Sequence, residues 1–223
     1  MSSKLVTRAM FGVDPALRKI KARGRFYWDL TTIILRRALL ANVADRQRVL
    51  EIGTGEYGIL AVFLAKKRKI DLTAVEIVPG FIDTSREIAK NNRVDIRIIL
   101  SDMFENVDGL FDVIYWNLPY VPTEFGTKFY KIRDKNLAVG LEGWHGGPSG
   151  LELFDLFLKE APAVLKETGR IIAGLNTYFV PQPQILEIIK RRGLSLDSVC
   201  GSALNPSKAF VITKKAINLA GPS

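Results

Sequence analysis

One cysteine and one histidine in 223 residues exclude more chemistry than any single motif in this chain announces. Cys200 has no partner for an internal disulfide, and no cysteine cluster is available to hold a metal. With His145 alone, a metal centre or a hydrolase site built on several histidines cannot be assembled. Long apolar runs are also missing. The most apolar stretch, Leu30 to Val43, is broken by Arg36 and Arg37 and falls short of the ~20 residues that span a bilayer. No apolar segment with a small-residue cleavage site opens the chain, so no export signal is read there and the cytoplasm is the expected compartment. Repeats and low-complexity tracts are absent as well.

What is present fits one α/β domain. Hydrophobic residues make up 48% and charged residues 25% of the chain, the balance of a globular protein with a sizeable core. The 32 Lys and Arg against 23 Asp and Glu leave a net charge of +9, a field that attracts polyanions. Seven cations, from Lys4 to Arg25, face only Asp14 in the first 25 residues. That segment reads equally as a solvated tail or as an RNA-binding arm. The expected division is a basic extension over 1–28, a catalytic domain over 29–215 and a tail over 216–223.

Beyond a helix over Asp29–Ala41, with Asp29 as its cap, short apolar strands alternate with helices. Strands are expected at 48–52, 71–76, 96–100, 111–117, 170–175, 194–200 and 209–213. Helices are expected up to Lys67 and over 79–91, 150–165 and 183–192. This rhythm predicts a Rossmann-like fold: a seven-stranded, mostly parallel sheet with helices on both faces. Ligands of such sheets bind at the carboxyl ends of the strands, where the strand order reverses.

The first strand runs into Glu51-Ile52-Gly53-Thr54-Gly55-Glu56-Tyr57-Gly58. Gly53, Gly55 and Gly58 have the spacing of a dinucleotide turn, and Glu76 ends the second strand as an acid for ribose hydroxyls. Glu51, two residues before the first glycine, would repel a pyrophosphate but suits a cation. S-adenosylmethionine (SAM), with its sulfonium and ammonium groups, meets that requirement. Ser101-Asp102-Met103-Phe104 follows the third strand, where Asp102 can accept from an adenine amine and Met103 or Phe104 can pack on the ring. Taken singly, Asp102 reads as a turn cap and Glu76 as a surface acid. Three acids at successive strand ends favour the cofactor reading. The expected cofactor contacts are Glu51, Gly53, Thr54, Gly55, Gly58, Glu76, Ile77, Asp102, Met103 and Asn117, with no metal.

Asn117-Leu118-Pro119-Tyr120 ends the fourth strand. An amide or aromatic NH2 is planar and a weak nucleophile because its lone pair is delocalised. The Asn117 side-chain oxygen and the Leu118 carbonyl can grip its N–H bonds while Pro119 fixes the turn and Tyr120 stacks on the flat group. Such alignment is worth roughly 7–11 kcal/mol, and no strong base is needed.

Val49 to Gly58 resembles motif I of the class I SAM-dependent methyltransferases, and Val75-Glu76-Ile77 and Asp102 resemble their ribose- and adenine-binding acids. Asn117 to Tyr120 is similar to the catalytic motif of the amino-methyltransferases. Gly146-Gly147-Pro148-Ser149-Gly150-Leu151-Glu152 and the helix after it resemble HemK-type protein-glutamine methyltransferases, a likeness covering residues 45–213. Leu118 departs from that pattern, which has a second proline there. Asn-Leu-Pro-Tyr is the form found in ribosomal RNA adenine dimethyltransferases.

The resemblance implies methyl transfer from SAM, leaving S-adenosylhomocysteine. Charge, the basic arm, Leu118 and an insertion over 121–145 that mixes Lys128, Lys131, Arg133 and Lys135 with Phe125, Phe129, Tyr130 and Trp144 place an RNA base amine first among acceptors. The insertion reads equally as a mobile lid. A glutamine amide of a translation release factor is the second acceptor, with a small activating subunit as in some HemK-type enzymes. A non-catalytic nucleotide-binding module is the third reading. Tyr27, Trp28 and Thr32 stand as cover for the cofactor pocket or as core.

Overall fold

The structure, a computed structural model, describes residues 3–14, 30–133 and 145–214, the side chains of 3–6 and 129–133 excepted. Seven strands form one sheet: β1 (Arg48–Ile52), β2 (Asp71–Glu76), β3 (Arg97–Leu100), β4 (Phe111–Asn117), β5 (Leu165–Asn176), β6 (Leu194–Cys200) and β7 (Ser207–Lys214). Their order is β3-β2-β1-β4-β5-β7-β6. Pairings from β3 through β5 are parallel, and β7 runs antiparallel to both β5 and β6. The expected mostly parallel, Rossmann-like sheet is therefore present, and its order reverses between β1 and β4.

Alternation along the strands divides the core. On β4, Val113 and Tyr115 face α2 (Leu30–Asn42), α3 (Ile59–Lys67) and α4 (Pro79–Asn91). Ile114 and Trp116 face α6 (Glu152–Val164) and α7 (Gln182–Arg191). Residues of β4 are buried on both sides, which is why that strand reads as an unbroken apolar run.

Three departures from the sequence reading stand out. β5 begins at Leu165 instead of 170 because Phe111 pairs with Leu165 and the register then slips, Val113 meeting Arg170. Part of the 121–145 insertion is regular: Thr123–Arg133 forms α5, where Lys128 bonds Glu124 one turn earlier at 2.6 Å. Its start was hidden because basic and aromatic residues blur the apolar period. Lys131, Arg133, Phe129 and Tyr130 lie outside the described side chains, and Lys135 and Trp144 outside the described residues.

The third departure is at the start of the chain, where Ser3–Phe11 is helical (α1) and its end docks on the domain. Phe11 and Val13 are fully buried, Phe11 meets Phe63 edge-on at 6.0 Å, and Asp14 and Asn92 exchange two hydrogen bonds through Asp14 N–H and C=O. Two apolar side chains anchor a segment whose composition is dominated by charge. Asp29, Tyr27, Trp28 and the cations from Arg18 to Arg25 lie outside the described residues.

Candidate active site

The marked residues converge at the carboxyl ends of β1, β2, β3 and β4, at the point of strand-order reversal. The turn after β1 passes through Gly53, Gly55 and Gly58, with φ of 62°, 63° and 54°, a region that favours glycine. A side chain at Gly53 would lie 2.8 Å from the Trp116 indole nitrogen, and one at Gly58 would lie 3.1 Å from Ser85. Gly55 has open space where a Cβ would be, so bare backbone there faces room for a ligand. Tyr57, bulky within the turn, is tucked into the core.

Glu76 closes the turn from β2. Its Oε2 accepts from Gly55 N–H at 2.9 Å, and its Oε1 accepts from the N–H groups of Ile77 and Val78 at 3.0 Å each. The Thr54 N–H donates to the Val75 carbonyl at 3.1 Å. Ile77 is 57% exposed beside this carboxylate, an apolar surface on the rim. Beyond β3, Asp102 is exposed and Met103 adopts a positive φ of 41°. Phe104 stacks on Phe157 at 6.0 Å and serves the core.

Glu51 is the most perturbed acid here. It is 3% exposed, and its Oε2 has no hydrogen-bond partner. Burial pushes its carboxyl up to about 8; the Tyr115 hydroxyl opposes that shift and the charge on Glu76 adds to it.

Asn117, at the end of β4, is one residue past the Ile52–Trp116 pairing that ties β4 to β1, and so stands beside the glycine turn. Its Nδ2 donates to Thr32 Oγ1 of α2 at 3.2 Å. Its Oδ1 is buried without a partner. Opposite it on β5 is Gly174, where a Cβ would come within 3.1 Å of that oxygen. Tyr120 is buried, its hydroxyl 3.1 Å from Thr31 Oγ1, which in turn donates to Ser207 Oγ at 3.1 Å. Its ring stacks on Phe179 at 6.0 Å.

The glycine-rich loop after α5 cradles this motif. A Cβ on Gly146 would meet the Pro119 carbonyl oxygen at 2.8 Å, and one on Gly150 would meet the Tyr120 carbonyl oxygen at 2.5 Å. Thr123 N–H donates to the Gly147 carbonyl and Gly146 N–H to the Val121 carbonyl, both at 3.0 Å. Glu152 accepts from Ser149 N–H at 3.0 Å and Leu151 N–H at 3.2 Å. Partial burial works against its charge, but these donors hold its carboxyl below the usual range. His145 lies behind the motif, close to Gly126 of α5.

Thr31, Ser207, Gly174 and Trp116 escaped the sequence reading. Trp116, directly before Asn117, offered a signal; the others carry none, because their partners are remote in the chain. Among the described residues no group of three or more His, Cys, Asp or Glu is placed to hold a metal, and no helix is long and apolar enough to cross a membrane. A cavity of about 420 Å³ lies beside Val43, Gln47, Arg68 and Arg170, next to the amino end of β1, and none of the marked residues lines it.

The site can hold an elongated ligand with a cation at one end and hydroxyls toward the other. The bare turn at Gly55 and the unpartnered oxygen of Glu51 fit SAM. Residues 24–130 match the family model "Methyltransferase small domain". A protein of Methanocaldococcus jannaschii named for protein N5-glutamine methyltransferase activity is 35% identical over 181 residues, 80% of this chain and 86% of that one. The chain belongs to the HemK-type methyltransferases. The release factor glutamine methyltransferase of Aquifex aeolicus is 32% identical over 145 residues, 63% of this HemK-type chain and 50% of that protein, so the chain spans about half that relative's length. A methyltransferase crystal structure from Pyrococcus furiosus superposes with a TM-score of 0.66 at 22% identity, covering 96% of this chain and 95% of that one, which shows the shared fold. The HemK-type chain is thus a SAM-dependent N-methyltransferase.

These relatives reverse the order of the two acceptors. Protein glutamine, the second expectation, is what their names carry, and an RNA base is not. Leu118 had favoured RNA, but its side chain is 3% exposed within the core under the motif. A residue so placed reports packing, not acceptor chemistry.

Proposed function

We propose that this enzyme methylates the side-chain amide nitrogen of a glutamine in a protein translation release factor. One observation carries the reading: Asn117 Oδ1 is a buried acceptor without a partner, beside the glycine turn, while its Nδ2 is already committed to Thr32. Leaving such an oxygen unpaired costs roughly 1–3 kcal/mol, and an incoming amide N–H removes that penalty. The relatives' names point to the same acceptor.

In this reading Glu51 faces the cationic end of SAM, and Glu76, with Ile77 beside it, faces the ribose. Asp102 and Met103 border the adenine, and the backbone at Gly53, Thr54, Gly55 and Gly58 lies along the methionine moiety. SAM, when bound, supplies an electrophilic methyl group on a positively charged sulfur. Asn117 Oδ1 and the Leu118 carbonyl accept the two N–H bonds of the amide and turn its lone pair toward that carbon. Their partial negative charge also stabilises the nitrogen as it becomes cationic. Pro119 and the glycine loop hold the Leu118 carbonyl in place. Tyr120, locked by Thr31 and Phe179, forms the wall against which the flat amide rests. The nitrogen then releases one proton to solvent, so no side chain of this site has to act as a strong base.

Incubation with tritiated SAM and either a purified release factor or total RNA tests the acceptor. Label in the protein, mapped by mass spectrometry to one glutamine, is expected with the chain alone. Label in RNA only would restore the first expectation.

A further inference from the structure

Glu51 and Tyr115 are direct partners across β1 and β4, and both are buried, at 3% and 0% exposure. Neither Glu51 Oε2 nor the Tyr115 hydroxyl makes a hydrogen bond of good geometry, although the hydroxyl is close enough to Glu51 to act on its charge. Two orphaned polar atoms, side by side under a cofactor site, need a reason. Among the described residues, the groups that act on the Glu51 carboxyl are Tyr115 from β4 and Glu76 from the end of β2. From α2, Arg36 is turned to the Met10 carbonyl and to the rings of Phe11 and Phe63, and Arg37 is exposed. From α3, Lys66 and Lys67 sit in the last turn, with Lys66 on Gly12 and Asn92. None of these cations pairs with Glu51.

A buried carboxylate facing another acid and no cation keeps its proton. A phenol hydroxyl beside it donates a much stronger hydrogen bond once that carboxylate is ionised. We propose that cofactor binding at this site expels a proton from Glu51, with Tyr115 as the positioning residue whose hydroxyl turns onto the newly formed carboxylate. The inference rests on Glu51 facing the cofactor's cations. The balance is simple: the Glu51 O–H bond breaks, its proton passes to the buffer, and the carboxylate that remains is matched by the ammonium and sulfonium charges and by the Tyr115 O–H. Affinity for the cofactor therefore rises with pH until Glu51 ionises unaided, near pH 8.

Calorimetry of SAM and S-adenosylhomocysteine binding to the full chain, in two buffers of different ionisation enthalpy, counts the protons directly. Between pH 6 and 7, below the range where the cofactor's own amine titrates, the unaltered protein is expected to release close to one proton per cofactor. Its affinity should rise about tenfold per pH unit. Glu51→Gln should release none and bind weakly at every pH. Tyr115→Phe should keep the release but shift the affinity profile to higher pH and bind about tenfold more weakly at pH 7. Absence of proton release from the unaltered protein overturns the coupling, whatever the variants do. If Glu51→Gln still weakens binding in that case, the placement of Glu51 survives without the coupling. If Glu51→Gln binds as the unaltered protein does, the placement itself is wrong. A Tyr115→Phe profile superposing on the unaltered one removes Tyr115 from the mechanism.

Discussion

The two halves of the site are held in opposite ways. On the cofactor side the contacts are close in sequence: Gly55 bonds Glu76 across 21 positions, and Glu76 bonds its own following N–H groups. On the acceptor side they are remote. Asn117 reaches Thr32 across 85 positions, Tyr120 reaches Thr31 across 89, and Thr31 reaches Ser207 across 176. In the proposed reading, a strand–turn–helix–strand unit assembles its own cofactor cradle, whereas the acceptor grip exists only once α2 and β7 have docked. Cofactor binding and methyl transfer should therefore be separable by substitution.

The largest separation is expected at Asn117. Asn117→Ala should lower kcat by ~10³-fold while leaving the SAM dissociation constant within a few-fold, by analogy with loss of one preorganised polar group. Full activity in steady-state assays would remove the grip. Glu76→Ala is the reciprocal test. It strips three N–H groups of their acceptor and should weaken SAM by ~10–100-fold in equilibrium binding; a pure kcat effect would erase the division between the halves.

Thr32→Val should act as a mild version of the first change, reducing kcat about tenfold through loss of one hydrogen bond to Asn117. Thr32→Ser should restore it, because the hydroxyl is what orients the amide. An unchanged kcat in both would show that Asn117 is held by its strand alone.

A test of a different kind concerns stability without ligand. The Glu51 carboxyl is raised from 4.5 to about 8 in the folded chain, so between those values the folded state binds more protons than the unfolded one. Stability then falls as pH rises through that window, by up to ~1.4 kcal/mol per pH unit, or ~2–4 °C in melting temperature for each kcal/mol. Glu51→Gln should flatten this slope in thermal melts from pH 5.5 to 7.5. Parallel slopes would mean that Glu51 is hydrated in solution. Asp112 and Asp155, whose carboxyls are lowered beside Lys166 and Arg192, titrate below this window.

Much of the fold was legible because alternation is local. The strands β1, β2, β4 and β6 and helix α4 fall where period and flanking residues place them. The β5 slip was not, since a bulge depends on what the neighbouring strand offers. The docking of α1 was missed because two buried residues, Phe11 and Val13, are outweighed in composition by the cations around them. The relatives' names favour the second acceptor over the first, and the first rested on similarly weak ground. Net charge and Leu118 are properties of a list of residues, and burial of Leu118 withdraws it from contact with any acceptor.

By itself the sequence determined the alternating strand–helix order and the left-handed glycine turn, because each is set by backbone conformation or by neighbours a few positions apart. Tertiary structure alone decided that Thr31 and Thr32 secure Tyr120 and Asn117, that Gly174 leaves room for the Asn117 oxygen, and that Glu51 lies buried against Tyr115. Those relations join segments tens of positions apart, and only the packing of α2 on the assembled sheet brings them within bonding distance.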